Sequence, residues 1–171
     1  EILNEPHGID DGIWGAIQGR VVDAIRAIDT KHTLIVGPAN WNSFYNLDQM
    51  PTYADTNLIY TFHFYDPFLF THQGATWVGI PLEDLSNMPF PYDANDMPAL
   101  PASLSSTWAA GGYNSYPNEG TVAHMRQLLE IAANFSQNRG VPVFCGEFGV
   151  YKPNSEEDDR VRWYDAIESI L

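Results

Sequence analysis

Two glutamates, Glu5 and Glu147, occupy similar settings near opposite ends of the chain. Glu5 follows the apolar pair Ile2-Leu3, and Glu147 comes shortly after the apolar run 141–144. Both settings predict a carboxylate at the C-terminal end of a strand, which is where β/α barrels carry their catalytic groups. Paired carboxylates suit a displacement at the anomeric carbon of a sugar, with one group as acid/base and the other as nucleophile.

The elements that must position these glutamates are predicted to alternate along the chain. Uncharged apolar runs predict four strands, at residues 1–5, 33–37, 58–65 and 141–145. Helical spacing of apolar residues predicts three helices, at residues 14–28, 121–138 and 155–171, and a weakly marked short one near 44–49. Asp10 or Asp11 is expected to cap the first helix, and Ser155 the last. This alternation predicts an α/β fold, with a parallel sheet covered by helices on both faces.

A long segment, residues 66–118, shows no clear period and is rich in Pro, Trp, Tyr and Asn. Loops of this length are usually functional or disordered, and the many aromatic residues favour an ordered lid or cleft wall. The chain of 171 residues is long enough for one domain with a real core, so residues 1–171 are predicted to form a single domain.

The composition excludes several classes of partner. The formal net charge is −14, which repels phosphate backbones and anionic lipid surfaces, so nucleic-acid and membrane partners are not expected. No apolar run reaches the length of about 18 residues that a transmembrane helix needs. The one cysteine, Cys145, lies within an apolar strand and is predicted to be a packed, inert thiol. A neutral substrate fits this charge balance best.

Three motifs, each at a predicted strand end, resemble glycoside hydrolase family 5, the cellulase-type β/α barrels. They are residues 2–8 (ILNEPHG), 61–67 (TFHFYDP) and 145–149 (CGEFG). Residues 71–77 (THQGATW) look like a loop of bacterial members. The resemblance runs along essentially the whole chain, and it implies a retaining β-glycoside hydrolase of the endo-β-1,4-glucanase type.

The resemblance implies specific roles for five residues. Glu5 is the expected acid/base, which must carry a proton when it protonates the leaving oxygen, and Glu147 is the expected nucleophile, which must be ionised. Asn4 is expected to bind the sugar 2-hydroxyl. His63 and Tyr65 are two residues apart on one predicted strand and should face the same side. His63 is expected to line the sugar site, and the Tyr65 hydroxyl to touch the nucleophile.

Aromatic and histidine side chains are candidates for the walls of the sugar site. Trp41 and Trp77 are the favoured sugar platforms, and His7 and His72 are candidate cleft residues. Trp108 is a further candidate platform, for which plain packing explains the sequence equally well. The resemblance implies a β-glucan or oligosaccharide substrate, no cofactor, no metal and a secreted, extracellular protein.

A whole barrel of this kind has eight strands and about 250 residues, so this chain matches only part of it. We expect a half barrel, a partial (β/α)8 TIM barrel of about four parallel strands with helices outside. Its end strands would expose unpaired backbone groups and apolar side chains. Two copies of the chain could pair these backbone groups and bury these side chains, and we therefore expect a homodimer that closes the barrel. The carboxyl groups of Glu5 and Glu147 should then lie ~5–5.5 Å apart.

Three alternatives to this function remain open at the level of sequence. A mannanase-like β-glycanase would use the same two glutamates. A catalytically impaired carbohydrate-binding remnant would hold sugar without turning it over. A metal site could form if His7, His63, His72 and the glutamates cluster, although no His-x-x-x-His pair is present.

Overall fold

The computed structural model describes all residues, 1–171, and the chain divides into two compact units. The first unit comprises residues 1–64 and 130–148, and the second comprises residues 65–129 and 149–171. The first unit carries a parallel β-sheet, and the second is built from helices and ordered turns. The prediction of an α/β fold with a parallel sheet is therefore confirmed.

The sheet of the first unit has three parallel strands in the order β1-β2-β3. The strands are β1 (Leu34–Val36), β2 (Leu58–Phe64) and β3 (Val143–Phe148). Helix α1 (Asp11–Arg26) precedes β1, and a short turn, α2 (Ala39–Asn42), and a 3-10 helix (Phe44–Gln49) follow it. The central strand β2 is apolar and almost entirely buried, as a strand covered on both faces should be.

The predicted fourth strand, at residues 1–5, is absent from the sheet. Its one backbone link to the sheet is the bond from the Ile2 amide to the Ile35 carbonyl, at 3.1 Å. Glu5 has a φ of 50°, which is incompatible with extended backbone. The sheet therefore has three strands rather than the four that the sequence predicts.

Helix α1 is capped by hydrogen bonds at its start. Other hydrogen bonds, from its buried face, tie it to the end of β1. The Asp10 carboxylate accepts from the amides of Gly12 and Ile13, which satisfies two free N–H groups of the first turn. Trp14 Nε1 and Gln18 Nε2 both donate to the Gly37 carbonyl, at 2.9 and 3.1 Å. The end of β1, where the candidate site begins, is therefore held by side chains one helical turn apart.

The second unit contains the segment predicted as a long loop, 66–118. Within that segment the structure has α3 (Phe68–Thr71), two 3-10 turns (Leu82–Asp84 and Ala102–Leu104) and most of α4 (Trp108–Glu119). Helix α4 escaped prediction because Gly111, Gly112 and Pro117 lower its intrinsic helix propensity. The segment is ordered by a buried aromatic core that includes Phe70, Phe90, Tyr116 and Trp163.

The two remaining long helices are close to their predicted positions. Helix α5 (Val122–Arg139) ends before Gly140, whose φ of 64° supplies the left-handed residue that commonly ends a helix. Glu156 occupies the N-cap position of helix α6 (Glu157–Ile170) without a side-chain capping bond, so the prediction of Ser155 as the cap is wrong. The Ser155 hydroxyl instead donates to the Tyr151 carbonyl, at 2.8 Å. None of these helices combines the length and apolar character needed to cross a membrane.

Candidate active site

Glu5, His63 and Glu147 converge in the first unit, although 142 positions separate the two glutamates in the sequence (147 − 5). His63 Nδ1 lies 2.8 Å from Glu5 Oε1 and 3.5 Å from Glu147 Oε2. One atom from each of the three side chains lies within 4.8 Å of the other two. His63 is buried while both carboxylates are partly open to solvent, so a ligand can reach the carboxylates. We call these three residues the carboxylate–histidine cluster.

A bulge in β3 brings Glu147 beside His63. Phe62 pairs with Cys145 and His63 pairs with Glu147, so the pairing skips Gly146. A β-bulge of this kind re-aims the side chain that follows it. A Cβ at Gly146 would lie 2.5 Å from Thr61 Oγ1, a separation that real side chains do not reach. Only glycine therefore fits at the skipped position.

Glu5 is positioned by a left-handed backbone conformation. Its φ of 50° is uncommon for any residue other than glycine and costs conformational energy. The Glu5 carbonyl contacts His7 Nδ1 at 3.0 Å, and the Pro6 carbonyl accepts from the Trp41 amide at 3.1 Å. These contacts hold the turn in which the carboxylate reaches His63.

The turn after β1 contains three consecutive left-handed residues, Asn40, Trp41 and Asn42, with φ of 56°, 59° and 55°. It places the Trp41 ring parallel to the His7 ring, with centroids 4.9 Å apart. Trp41 is about half exposed, so it presents an indole surface to solvent. The structure thus brings two of the predicted substrate-binding residues together, and their role in binding stays a prediction.

Asn42 was missed by sequence reasoning and lies directly behind the cluster. Its amide Nδ2 is 3.4 Å from His63 Nε2 and 3.0 Å from Glu1 Oε1. The side chain is fully buried, and its Oδ1 has no hydrogen-bond partner. An Asn-rich loop after a strand carries no signal for such a contact, because the left-handed turn that creates it is not evident from sequence.

The cluster offers atoms of the kind that metals bind, but its hydrogen bonds use them differently. His63 Nδ1 lies 2.8 Å from Glu5 Oε1, and His63 Nε2 lies 3.4 Å from Asn42 Nδ2. Both ring nitrogens of His63 therefore have a hydrogen-bond partner within the protein. We therefore interpret the cluster as a hydrogen-bonded pair of carboxylates rather than a metal centre.

Tyr65, His72 and Trp77 belong to the second unit. Strand β2 ends at Phe64, so Tyr65 lies one residue past the strand, and its expected orientation toward the same side as His63 stays a prediction. Within the second unit, the Tyr65 ring packs edge-on against His72 at 5.3 Å, and His72 packs edge-on against Trp77 at 6.4 Å. Burial lowers the pKa of His72 to about 4, so its imidazole is uncharged at neutral pH.

Further rings extend this contact series into a continuous aromatic row. Phe68 stacks on His72 at 3.8 Å and meets Trp108 edge-on at 5.7 Å. Trp77 meets Tyr151 edge-on at 4.7 Å. Trp77 and Trp108 remain 59% and 51% exposed, so their indole faces are available to a ligand. We call Trp108, Phe68, His72, Trp77 and Tyr151 the aromatic row.

Two other residues singled out from sequence contribute little to the site's geometry. Asn4 is solvent-exposed beside Glu5, and its contact with a sugar stays a prediction. Burial raises the pKa of the Cys145 thiol to about 12, which keeps it protonated and a poor nucleophile at neutral pH. This agrees with the packed, inert thiol expected from sequence.

Comparison with known protein families identifies the family of this chain. Residues 1–170 match the model of the family described as cellulase (glycosyl hydrolase family 5). The chain belongs to glycosyl hydrolase family 5. It is 32% identical over 180 residues to Endoglucanase 3 of Fibrobacter succinogenes, covering 99% of this chain and 27% of that protein. It is 28% identical over 171 residues to Endoglucanase C of Acetivibrio thermocellus, covering all of this chain and 49% of that protein.

Solved structures agree with the family assignment. The endoglucanase Cel5A of Thermotoga maritima matches with a TM-score of 0.75 and 28% identity, over 96% of this chain and 45% of that one. The same enzyme has been solved with cellobiose and with mannotriose. This family 5 chain therefore spans about half, or less, of the length of these relatives, and its three-stranded sheet corresponds to part of their barrel.

Proposed function

We propose that this chain carries the two catalytic carboxylates of a retaining endo-β-1,4-glucanase. The strongest support is the proximity of Glu5 and Glu147, which both lie beside His63. One oxygen of the Glu5 carboxylate lies within 4.8 Å of one oxygen of the Glu147 carboxylate. Retaining glycosidases hold their carboxyl groups ~5–5.5 Å apart, whereas inverting ones need ~6.5–9.5 Å to admit a water molecule. The short separation favours direct attack by a carboxylate.

In the first step, a Glu147 carboxylate oxygen attacks the anomeric carbon and forms a C–O bond with it. The glycosidic C–O bond breaks, and the Glu5 carboxyl gives its proton to the leaving oxygen. In this proposal His63 Nδ1, 2.8 Å from Glu5 Oε1, donates to that oxygen, so the acidic proton of Glu5 belongs on Oε2, where it can face a leaving group.

In the second step, Glu5 acts as the base. Its carboxylate takes a proton from water while the water oxygen attacks the anomeric carbon. The bond to Glu147 breaks, its carboxylate is restored and the sugar leaves with its original configuration. No residue beyond the two glutamates exchanges protons or bonds with the substrate in this scheme, and it needs no metal or cofactor.

The substrate is a neutral β-glycan in this proposal, and the binding roles of Asn4, His7, Trp41, Tyr65, His72 and Trp77 are part of it. Support comes from the exposed indole faces of Trp41 and Trp77, and from the uncharged state of His72. Aromatic faces pack well against the C–H faces of sugars, and a chain of net charge −14 disfavours anionic ligands. Secretion also stays a prediction of the family resemblance.

Mannan is a second candidate substrate, because a similar endoglucanase, that of Thermotoga maritima, has been solved with mannotriose. Hydrolysis rates on matched cello- and manno-oligosaccharides separate the two. A rate on mannohexaose above that on cellohexaose would assign the mannanase-like function.

A carbohydrate-binding remnant is a third candidate, because the sheet has three strands where a complete barrel has eight.

Strand β3 lies at the edge of the sheet and leaves Phe144 and Phe148 51% and 43% exposed. Exposed apolar side chains on an edge strand favour a covering partner. We propose a second copy of the chain as that partner, and sedimentation at increasing concentration tests it, since a monodisperse monomer would contradict it.

The deciding experiment is release of aryl alcohol from an aryl β-cellobioside over a range of chain concentrations. Wild type is compared with Glu147→Gln and with Glu168→Gln, an exposed glutamate on α6 that serves as the matched control. We expect release by wild type and by Glu168→Gln, and none by Glu147→Gln. Specific activity that rises with concentration would point to self-assembly. Equal background rates for all three proteins would refute the hydrolase and leave the binding remnant.

A further inference from the structure

Asn42 combines features that a residue chosen only for packing would not need. It is fully buried, its φ is 55°, and its Oδ1 has no partner. Left-handed backbone and an unsatisfied buried carbonyl both cost free energy. Residues with such costs are common at functional sites, where the surrounding structure holds them in place. In Asn42, the atom that makes a specific contact is the other polar atom of the same side chain.

The contact in question is made by the Asn42 amide nitrogen. Nδ2 lies 3.0 Å from Glu1 Oε1, and an ionised carboxylate can only accept, so the NH2 group and not the oxygen must face Glu1. This fixes the orientation of the amide and explains why Oδ1 is left without a partner. The second hydrogen of the same NH2 group is available to His63 Nε2, 3.4 Å away.

A neutral imidazole has one donor nitrogen and one acceptor nitrogen. Because Asn42 offers Nε2 a donor, Nε2 must accept, and the ring proton is placed on Nδ1. Nδ1 is the nitrogen that faces both glutamates, at 2.8 Å from Glu5 Oε1 and 3.5 Å from Glu147 Oε2. We propose that Asn42 is a positioning residue that fixes His63 in the Nδ1–H tautomer, so that this N–H serves both catalytic carboxylates.

Asn42 also opposes a second proton on His63. The titratable groups facing the imidazole are Glu5 and Glu147 directly, with Glu1 behind Asn42, and all three are acidic. A proton on Nε2 would point at the Asn42 NH2 group, donor against donor. A neutral His63 donates one hydrogen bond without taking the proton that Glu5 must deliver. In this respect the inference rests on the proposed function.

The test is 15N NMR of the full chain, which reports directly whether each ring nitrogen carries a proton. We expect wild-type His63 to show a protonated Nδ1 and an unprotonated Nε2 at neutral pH. Asn42→Asp replaces the donor by an acceptor and should protonate Nε2. Asn42→Gly removes the side chain at a φ that glycine tolerates and should give a mixture of tautomers.

Asn40 supplies the matched control, because it lies in the same turn with a φ of 56° but is exposed. Asn40→Asp and Asn40→Gly should leave the His63 spectrum and turnover as in wild type. Asn42→Asp should lower kcat for an aryl β-cellobioside about 10- to 100-fold, with a smaller change in KM and a shifted pH–rate profile.

Several results would overturn the inference. One is a protonated Nε2 in wild type, and another is an Asn42→Asp spectrum identical to that of wild type. Equal losses from the Asn42 and Asn40 variants would assign the turn a structural role only. If wild type hydrolyses nothing, the proposed function fails, while the NMR result still decides the tautomer.

Discussion

The two units of the chain hold their candidate site residues in contrasting ways. In the first unit, Glu5 and Asn42 have positive φ, and a bulge at Gly146 turns Glu147 toward His63. In the second unit, every ring residue of the aromatic row keeps a negative φ, and the rings position one another by edge-on and stacked contacts. This difference is what the proposed roles require, since groups proposed to make and break bonds need exact placement at an energetic cost, whereas a proposed binding surface needs only exposed rings.

The contrast is also one of polarity. The first unit sets two carboxylates against a single imidazole, so a substitution at any of the three alters the charge or the hydrogen bonds of the cluster. In the aromatic row, burial keeps His72 uncharged, so none of the five side chains carries a charge at neutral pH. Variants in the first unit should therefore change turnover, and variants in the row should change binding.

The largest effect is expected for the nucleophile. Glu147→Gln keeps the shape of the side chain but cannot attack the anomeric carbon, so kcat should fall by at least about 10⁴-fold. Binding of cellohexaose, measured by calorimetry, should stay within about threefold of wild type. A comparable loss of binding and turnover would mean that Glu147 holds the site together rather than reacting.

The next effect is on stability, at the bulge. Gly146→Ala would place a Cβ 2.5 Å from Thr61 Oγ1, and overpacking of this kind destabilises by about 1–3 kcal/mol. Gly111→Ala in α4 meets no atom within 4 Å and should be neutral or stabilising by about 0.5–1 kcal/mol. Urea unfolding measures both. Thr61→Ala should partly rescue Gly146→Ala, and no rescue would argue against the assigned clash.

A smaller effect is expected in the aromatic row. Trp77→Ala or Trp108→Ala should weaken cellohexaose binding about three- to tenfold, since a ring contact contributes about 0.5–1.5 kcal/mol. Val161→Ala on α6, where Val161 is 52% exposed, is the control for loss of exposed apolar surface. Calorimetry on the Glu147→Gln background avoids hydrolysis. Unchanged affinity in both tryptophan variants would remove the row from the binding site.

The smallest effect is a pH dependence of stability in the second unit. Burial raises the pKa of Asp66 to about 6, against an opposing effect of His124 and a supporting one of Glu119. The folded state therefore binds this proton more tightly than the unfolded state, and the resulting stability is lost as pH rises from about 4 to about 6. Asp66→Asn should raise the melting temperature more at pH 7 than at pH 4. An equal change at both values would contradict the assignment.

The sequence predicts the regular elements of the fold better than the turns and the bulge that bring Glu5, His63 and Glu147 together. The glutamates, the parallel strands and helices α1, α5 and α6 follow from apolar spacing and from motifs at strand ends. The left-handed turn at residues 40–42 and the bulge at Gly146 do not, because tertiary contacts and not local propensity select them. The same holds for α4, where Gly112 allows close packing: a Cβ at that position would lie 3.3 Å from Leu69 Cδ1.

The most direct test of the two carboxylate roles is rescue by azide, a small anion that can replace a missing carboxylate. With Glu147→Ala, azide should attack the anomeric carbon of an activated aryl β-cellobioside and give the α-glycosyl azide. With Glu5→Ala, it should attack the glycosyl-enzyme on Glu147 and give the β-glycosyl azide. The account predicts these opposite configurations by NMR. The same configuration from both variants, or the reverse assignment, would contradict it.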